Sequence, residues 1–343
     1  MGPPTTSGSG QPILNGPARP SPRIGRGDFP PPPELADRDP AAAPGEHVGG
    51  VRAELKLVGG EVKLGRSYHQ NPLRILHPLP ERAGGPSLLY LINSTAGLLD
   101  GDGQFVELEI QPGVRVFVTN QSSGRIHPCP TAHASSRYDL RVAAGAVLCC
   151  LPGPTIPFAG SRHHQRAEIH LEAGASVVWG DILLPGRTHY ARGPERFAFD
   201  RMVQELRVFR EGRLAFHERF AWQGPWDDRE VAWHFGDVEA SASLFLTGTF
   251  PAEALPELPG GAIALQVTAA GDTCIRLLGP DPEALIAAAA RLALTAAARM
   301  AGDAEPWFLD SHRLAPNHWF TAPPGPPTAP TTPPPHPAPG AEP

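Results

Sequence analysis

The chain is expected to be mainly β, with stacked β-hairpins in a solenoid-like or helical-type β-structure and one or two C-terminal helices. Three observations carry that expectation. The first is alternation: Val106, Leu108 and Ile110 interleave with Glu107 and Glu109, and Val114, Val116 and Val118 follow a Pro112-Gly113 turn, which is the period of half-buried strands. The second is an internal repeat. Residues 105–121, 137–153 and 165–181 each read as an alternating strand, a turn ending in glycine and a second apolar strand, and Gly113, Gly145 and Gly174 recur at intervals of 32 and 29 residues. A unit with one apolar face cannot bury it alone, so the units are expected to stack, with a conventional sandwich as the other arrangement that fits. The third is a helix signal near the C-terminus: Asp281 as N-cap, Pro282 at the first helical position, Glu283 at the positive end and Gly302 as the stop, with Leu285, Ile286, Ala289, Leu292, Ala296 and Met300 on one face.

Composition sets the limits of the folded part. Residues 1–48 carry Pro30 to Pro33 and many Gly, Ser and Ala, and residues 321–343 are again Pro, Ala, Thr and Gly, so both ends are read as disordered tails around a β-rich domain at 49–320. A formal net charge of −6 without a basic block gives no nucleic-acid footprint and no polybasic anchor. No span of about 20 apolar residues and no signal peptide is recognised, which favours a cytoplasmic protein that does not enter a membrane. Four cysteines, two of them adjacent at Cys149 and Cys150, do not form a secreted disulfide framework and fit a reducing compartment.

Along the chain, residues 51–57 and 62–64 flank Gly59-Gly60 as an opening hairpin, and residues 87–93 are an apolar strand that expects burial on both faces. Residues 197–222 hold another pair of strands around Glu211-Gly212, and further strands are expected at 242–246, 263–267 and 274–278.

Few side chains announce chemistry. Asp100-Gly101-Asp102-Gly103 resembles the start of a calcium loop, but its twelfth position is Gln111, which excludes an EF-hand. The two aspartates then read either as a capped turn or as carboxylates lining a polar cavity. His127, Cys129 and His133 are close together and of a type that suits nickel, copper or zinc, as are His163, His164 and His170, yet none has the spacing of a closed zinc site. Cys149 and Cys150 are expected in the core. No phosphate loop, nucleophile elbow or His-Glu-x-x-His helix is present.

Five stretches, in order, carry a family resemblance: Asn71-Pro72-Leu73-Arg74-Ile75; the turn from Ala96 to Asp102; Thr119-Asn120-Gln121-Ser122-Ser123; Leu151-Pro152 with Ile156-Pro157-Phe158-Ala159-Gly160; and Asp181 with Gly186-Arg187. Together they resemble the UreD (also UreH) urease accessory proteins over about residues 50–310. That resemblance implies a non-enzymatic scaffold that binds apo-urease (UreABC) and, with UreF and UreG, supports GTP-dependent nickel insertion. It implies transient Ni2+ rather than a tightly bound cofactor, passing through an internal polar conduit, with Asp102 and Asp181, and less firmly Asp100, on the nickel path. Three positions depart from the family pattern: Ala96-Gly97 where a Gly-Gly pair is usual, Thr119-Asn120-Gln121 where Thr-Thr-Gln is frequent, and Gly153 where an acidic residue often follows Leu-Pro. Two readings from other classes stand beside it: a β-solenoid carbohydrate-active protein using Asp100 and Asp102, and a β-rich binding module with no metal role.

Overall fold

The computed structural model describes residues 23–38, 47–236 and 238–308, so the expectations for most of the first tail and for residues 321–343 lie outside the described residues. In chain order the strands are β1 (Val48–Val58), β2 (Glu61–Gln70), β3 (Leu73–Ile75), β4 (Leu79–Pro80), β5 (Ser87–Asn93), β6 (Gly103–Ile110), β7 (Arg115–Asn120), β8 (Gly124–Ile126) and β9 (Ala134–Val142). They continue as β10 (Val147–Cys150), β11 (Thr155–Pro157), β12 (Arg162–Leu171), β13 (Ser176–Leu183), β14 (Arg201–Arg210) and β15 (Arg213–Gln223). Helix α1 (Asp228–Phe235) follows, then β16 (Ala240–Leu246), β17 (Ala262–Val267), β18 (Thr273–Gly279) and helix α2 (Pro282–Ala301).

The protein is mainly β, as the alternation requires, but the repeating unit is an arch and not a hairpin. The two strands that flank each repeat glycine do not pair with each other; they enter opposite sheets. The first sheet runs β15-β14-β12-β9-β6-β1-β2, and the second runs β17-β18-β16-β13-β10-β7-β5-β3, with β4, β8 and β11 attached along it. Successive arches lie parallel on one another. In the first sheet β6, β9, β12 and β14 are all parallel, with Leu108 beside Leu140, Leu140 beside Ile169 and Ile169 beside Val208. In the second, β7, β10 and β13 repeat the arrangement, with Val116, Leu148 and Val177 in line. The register also corrects the repeat frame: Phe105 aligns with Arg137, and Arg137 with Arg166, one residue later than the start assigned at Gln165.

The main core lies between the sheets. Leu108, Leu140 and Ile169 from one side meet Val116, Leu148 and Val177 from the other, all fully buried. The opposite face of the second sheet is covered by α2, whose alanines 289, 293 and 297 are buried against Phe117, Val178 and Ile275. The alternation therefore divides the adjacent cysteines: Cys150 belongs to the core between the sheets and Cys149 to the layer under α2, both buried. Helix α2 has the length and apolarity of a membrane span, which the sequence reading missed, but it is mostly buried against the sheet. Its ends are those read from the sequence: Asp281 accepts from the Glu283 and Ala284 amides, and Gly302 closes the helix in the left-handed region.

The terminal hairpins are as expected, β1–β2 and β14–β15 antiparallel around Gly59-Gly60 and Glu211-Gly212. One expectation for the ends is corrected. Residues 23–38, placed in a disordered tail because apolar side chains are sparse there, contribute two short 3-10 turns and bury Ile24, Phe29 and Leu35 against the body. Three anchors suffice because the body supplies the rest of the surface.

Ile169 has no exposed surface and sits in the middle of the stack, so Ile169→Ala should lower unfolding free energy by about 2–5 kcal/mol in a urea titration. Leu57→Ala, at a side chain 44% exposed, should stay within about 0.5 kcal/mol of wild type.

Candidate functional site

Parallel stacking in register puts equivalent residues of successive arches into rows, and one row between the sheets is polar. Two residues along from the apolar Val106, Tyr138, Ala167 and Leu206 stand Gln104, Ser136, Gln165 and Gln204, adjacent in register on the same inward face. The second sheet answers at the same level. Asn120 follows Val118 and Asp181 follows Trp179; Ser243 lies opposite Asp181, and Arg276 opposite Ser243. The edge strand β15 adds Glu218. A polar band thus crosses the sandwich beside an otherwise apolar core.

Its bonds are specific. Gln165 Nε2 donates to Asp181 Oδ1, and Trp179 Nε1 to Asp181 Oδ2 at 2.7 Å. At the far end Arg276 pairs with Glu218 and donates to Ser243 Oγ at 2.7 Å, while Ser243 Oγ donates to Glu218 at 3.2 Å. Desolvation pushes the Asp181 carboxyl up to about 6, against the opposing pull of the Trp179 and Gln165 donors and the Arg276 charge. The amide nitrogens of Gln104 and Gln204 are buried without a protein partner among the described residues. An unmet donor costs about 1–3 kcal/mol, so a band that keeps two of them is suited to water or to a solvated ion.

At its near end the band opens into a small cleft of about 50 Å³. Gln104, Ser136, His163 and Gln165 form one wall; Ala96, Gly97, Asn120, Ser122, Pro152 and Gly153 face them. Burial and the neighbouring His164 and His133 push His163 down to about 3, so it is a neutral imidazole, with Nε2 3.0 Å from Ser136 Oγ and Nδ1 unpartnered. Gly153 is fixed by space. A Cβ there would lie 2.5 Å from the Ser122 carbonyl oxygen, so this backbone admits no side chain at the position where the family pattern often has an acid.

The structure separates the three aspartates singled out from the sequence. Asp181 is in the band. Asp102 is 2% exposed, outside the cleft lining; its Oδ2 accepts from the Leu99 amide at 2.8 Å, and Oδ1 lies 3.4 Å from His47 Nδ1. Desolvation raises its carboxyl, with the Leu99 bond and His47 opposing. Asp100 caps a loop, with its two oxygens accepting from the Thr131 and Ala132 amides at 2.8 and 2.7 Å. Asp102 and Asp181 share no bonding partner among the described residues. Cys129 and His133 are buried, the thiol pushed up to about 11 and the imidazole down to about 4 by desolvation, and His127 packs edge-on against Phe158. Among the described residues, no group of three or more His, Cys, Asp or Glu is placed to hold a metal ion.

The sequence reading missed the polar row. Its signal was present, since Gln104, Ser136 and Gln165 interrupt three alternating strands at one repeat position, but aligning them requires the register that the repeat frame lacked by one residue. The five stretches that carried the resemblance come together here. Leu73, residues 96–98, residues 120–123 and residues 152–153 line the cleft; Arg187 stacks 4.0 Å from the Phe158 ring centre, and Asp181 is reached through Gln165.

Comparison with known proteins agrees with that convergence. A family model described as UreD urease accessory protein matches residues 47–315. Urease accessory protein UreD 2 of Streptomyces griseus is 35% identical over 181 residues, 51% of this chain and 60% of that protein. Urease accessory protein UreD of Acetivibrio thermocellus is 32% identical over 163 residues, 48% of this chain and 61% of its own length. Its counterpart in Anaeromyxobacter sp. is 30% identical over 248 residues, 72% of this chain and 77% of that protein. The chain thus spans about three fifths of the first two relatives and over three quarters of the third.

A folded-state carboxyl near 6 against an unfolded value of 3.8 means that Asp181 takes up a proton on folding between those pH values. Its contribution to stability is complete below about pH 3.8 and is lost as pH rises through about 6. Unfolding free energy measured between pH 3.5 and 7 should therefore show wild type losing stability relative to Asp181→Asn as pH rises, whereas parallel curves would mean an ordinary carboxylate. Taking the difference from the variant removes the opposite effect of His163, which favours folding as pH rises.

Proposed function

The chain belongs to the UreD family of urease accessory proteins, a family of maturation and not of catalytic proteins, and we propose that it binds apo-urease and conducts nickel to it through the polar band. UreF and UreG are the proposed partners, acting in the cytoplasm, with GTP hydrolysis supplied by UreG because this sequence has no phosphate loop. Nickel is the cargo, not a resident cofactor.

The observation that supports this reading is the band itself. A row of amide, hydroxyl and carboxyl groups, from the cleft to the Glu218–Arg276 pair, offers oxygen donors in succession with no closed cluster among the described residues. Oxygen donors hold a borderline cation weakly compared with thiolate or imidazole clusters, which favours release. Asp181 is the anionic station, and its raised carboxyl lets it exchange a proton for a cation near neutral pH. Asp100 is committed to the Thr131 and Ala132 amides, so it serves the loop; with the family membership, this replaces the carbohydrate-active reading. Asp102 is left as a buried carboxylate beside the entrance turn.

Urease co-expressed with its accessory proteins should contain little nickel and show little activity when this chain is omitted; full loading without it would overturn the assignment. Asp181→Ala and Gln165→Leu should lower nickel per urease while leaving co-purification with UreF and urease intact. Normal loading by both variants would remove the band from the mechanism without touching the family assignment.

A further inference from the structure

The family match begins at residue 47, yet residues 24–38 lie across the outer face of the first sheet at the end that carries the cleft. Every contact that holds this strap joins a strap residue to the matched domain. Phe29 meets Phe105 edge-on, at 6.4 Å between ring centres, and its ring covers Gly103, where a Cβ would lie 2.8 Å from it. Leu35 is fully buried. Between and beyond these anchors the domain offers arginines: Arg137 donates to the Asp28 carbonyl at 2.7 Å, Arg201 to the Glu34 carbonyl, Arg219 to the Glu34 carboxylate at 2.6 Å, and Arg162 to the Asp37 carboxylate. Arg38 returns two contacts, donating to the Cys129 carbonyl at 2.6 Å and lying 3.6 Å from the Asp200 carboxylate. Pro30 to Pro32 join the strap's two 3-10 turns, with Pro32 extended and Pro33 opening the second turn.

Apolar anchors flanking a proline run, with carboxylates and carbonyls set against a row of arginines, are the features of a bound peptide. The receptor is also under-filled. Among the described residues Arg162 Nε, Arg201 Nε and His164 Nε2 are buried without a hydrogen-bond partner, on side chains 1% exposed for Arg162 and 7% for His164. His164, an imidazole that burial pushes down to about 4, lies close enough to the strap to act on Glu34. A ligand with more acceptors than the strap would satisfy donors that it leaves unmet.

We propose that this face is a binding groove for a proline-containing acidic segment of a partner protein, and that residues 24–38 occupy it in cis as a tethered competitor. The family match covers the groove and not its occupant, and no residue of the strap pairs with a strand of either sheet among the described residues. The tether sets an effective concentration on the order of millimolar, so an untethered segment of equal affinity must approach that level to displace the strap.

The test uses the full chain and a fluorescein-labelled synthetic peptide with the sequence of residues 24–38. Phe29→Ser with Leu35→Ser loosens the strap; Glu34→Gln with Asp37→Asn, in a second full-length variant, removes only its charges. By fluorescence anisotropy the loosened chains should bind the peptide at least about tenfold more tightly than wild type. The gain should vanish when Arg162→Gln is added, and a peptide carrying Gln at 34 and Asn at 37 should bind about tenfold more weakly. Equal binding by wild-type and loosened chains, or indifference to the carboxylates, would overturn the proposal. Loss of cooperative thermal unfolding in both strap variants would also overturn it, since the strap would then be part of the domain's own core.

Discussion

Parallel, in-register stacking of arches governs this molecule. Once β6, β9, β12 and β14 lie side by side in one sheet and β7, β10 and β13 in the other, a residue's neighbours are its repeat equivalents, and each level of the sandwich takes one chemical character. An apolar level closes like any β core. A polar level cannot, because every strand contributes a group that needs a partner, and a flat row of amides does not satisfy itself. The row from Gln104 to Gln204 follows from that rule, and Glu218 of the edge strand, paired with Leu206, reaches its far end from the neighbouring level. A single buried polar residue in such a fold would be a local defect with a local remedy; repeated in register, it becomes a path.

The same rule shapes the two outer faces. On the second sheet the outward residues are apolar and demand a cover, which α2 supplies with an alanine-rich surface narrow enough to lie close. On the first sheet many outward residues are charged and pair along or across strands, as Arg137 does with Asp139 on β9 and Arg52 on β1 with Glu107 on β6. That face needs no cover over most of its area. Only its end, where Phe105 is apolar and Arg162 and His164 are buried, is closed by residues 24–38. Cleft and strap therefore lie on opposite sides of one sheet end, with His163 facing the first and His164 the second because neighbours on a strand point to opposite faces.

Much of this was legible in the chain itself. Strand alternation, the 32- and 29-residue recurrence of the turn glycines and the caps of α2 are local signals, set by φ/ψ preference and by which side of a strand must be dry. The arches were misread as hairpins for a physical reason. An apolar-turn-apolar pattern is the same whether the two strands bond to each other or face each other across a core, since both bury one face. Asp181 was found through family resemblance, whereas Gln165, its bonding partner, was not, because an isolated glutamine in an alternating strand carries no local mark.

The chain alone determined most of the long strands, helix α2, the repeat, the mainly β class and, through five ordered stretches, the family, but not α1 or the turns at 26–28 and 33–35. Tertiary structure alone decided which strands pair, and with that which residues share a level. Register is a property of two or more strands at once: a shift of one residue exchanges every inward side chain for an outward one, and no single strand records which was chosen. That choice separates Asp181, inside the sandwich with its carboxyl pushed up to about 6, from Asp100, spent on a loop, and Asp102, buried beside His47, although all three are the same side chain.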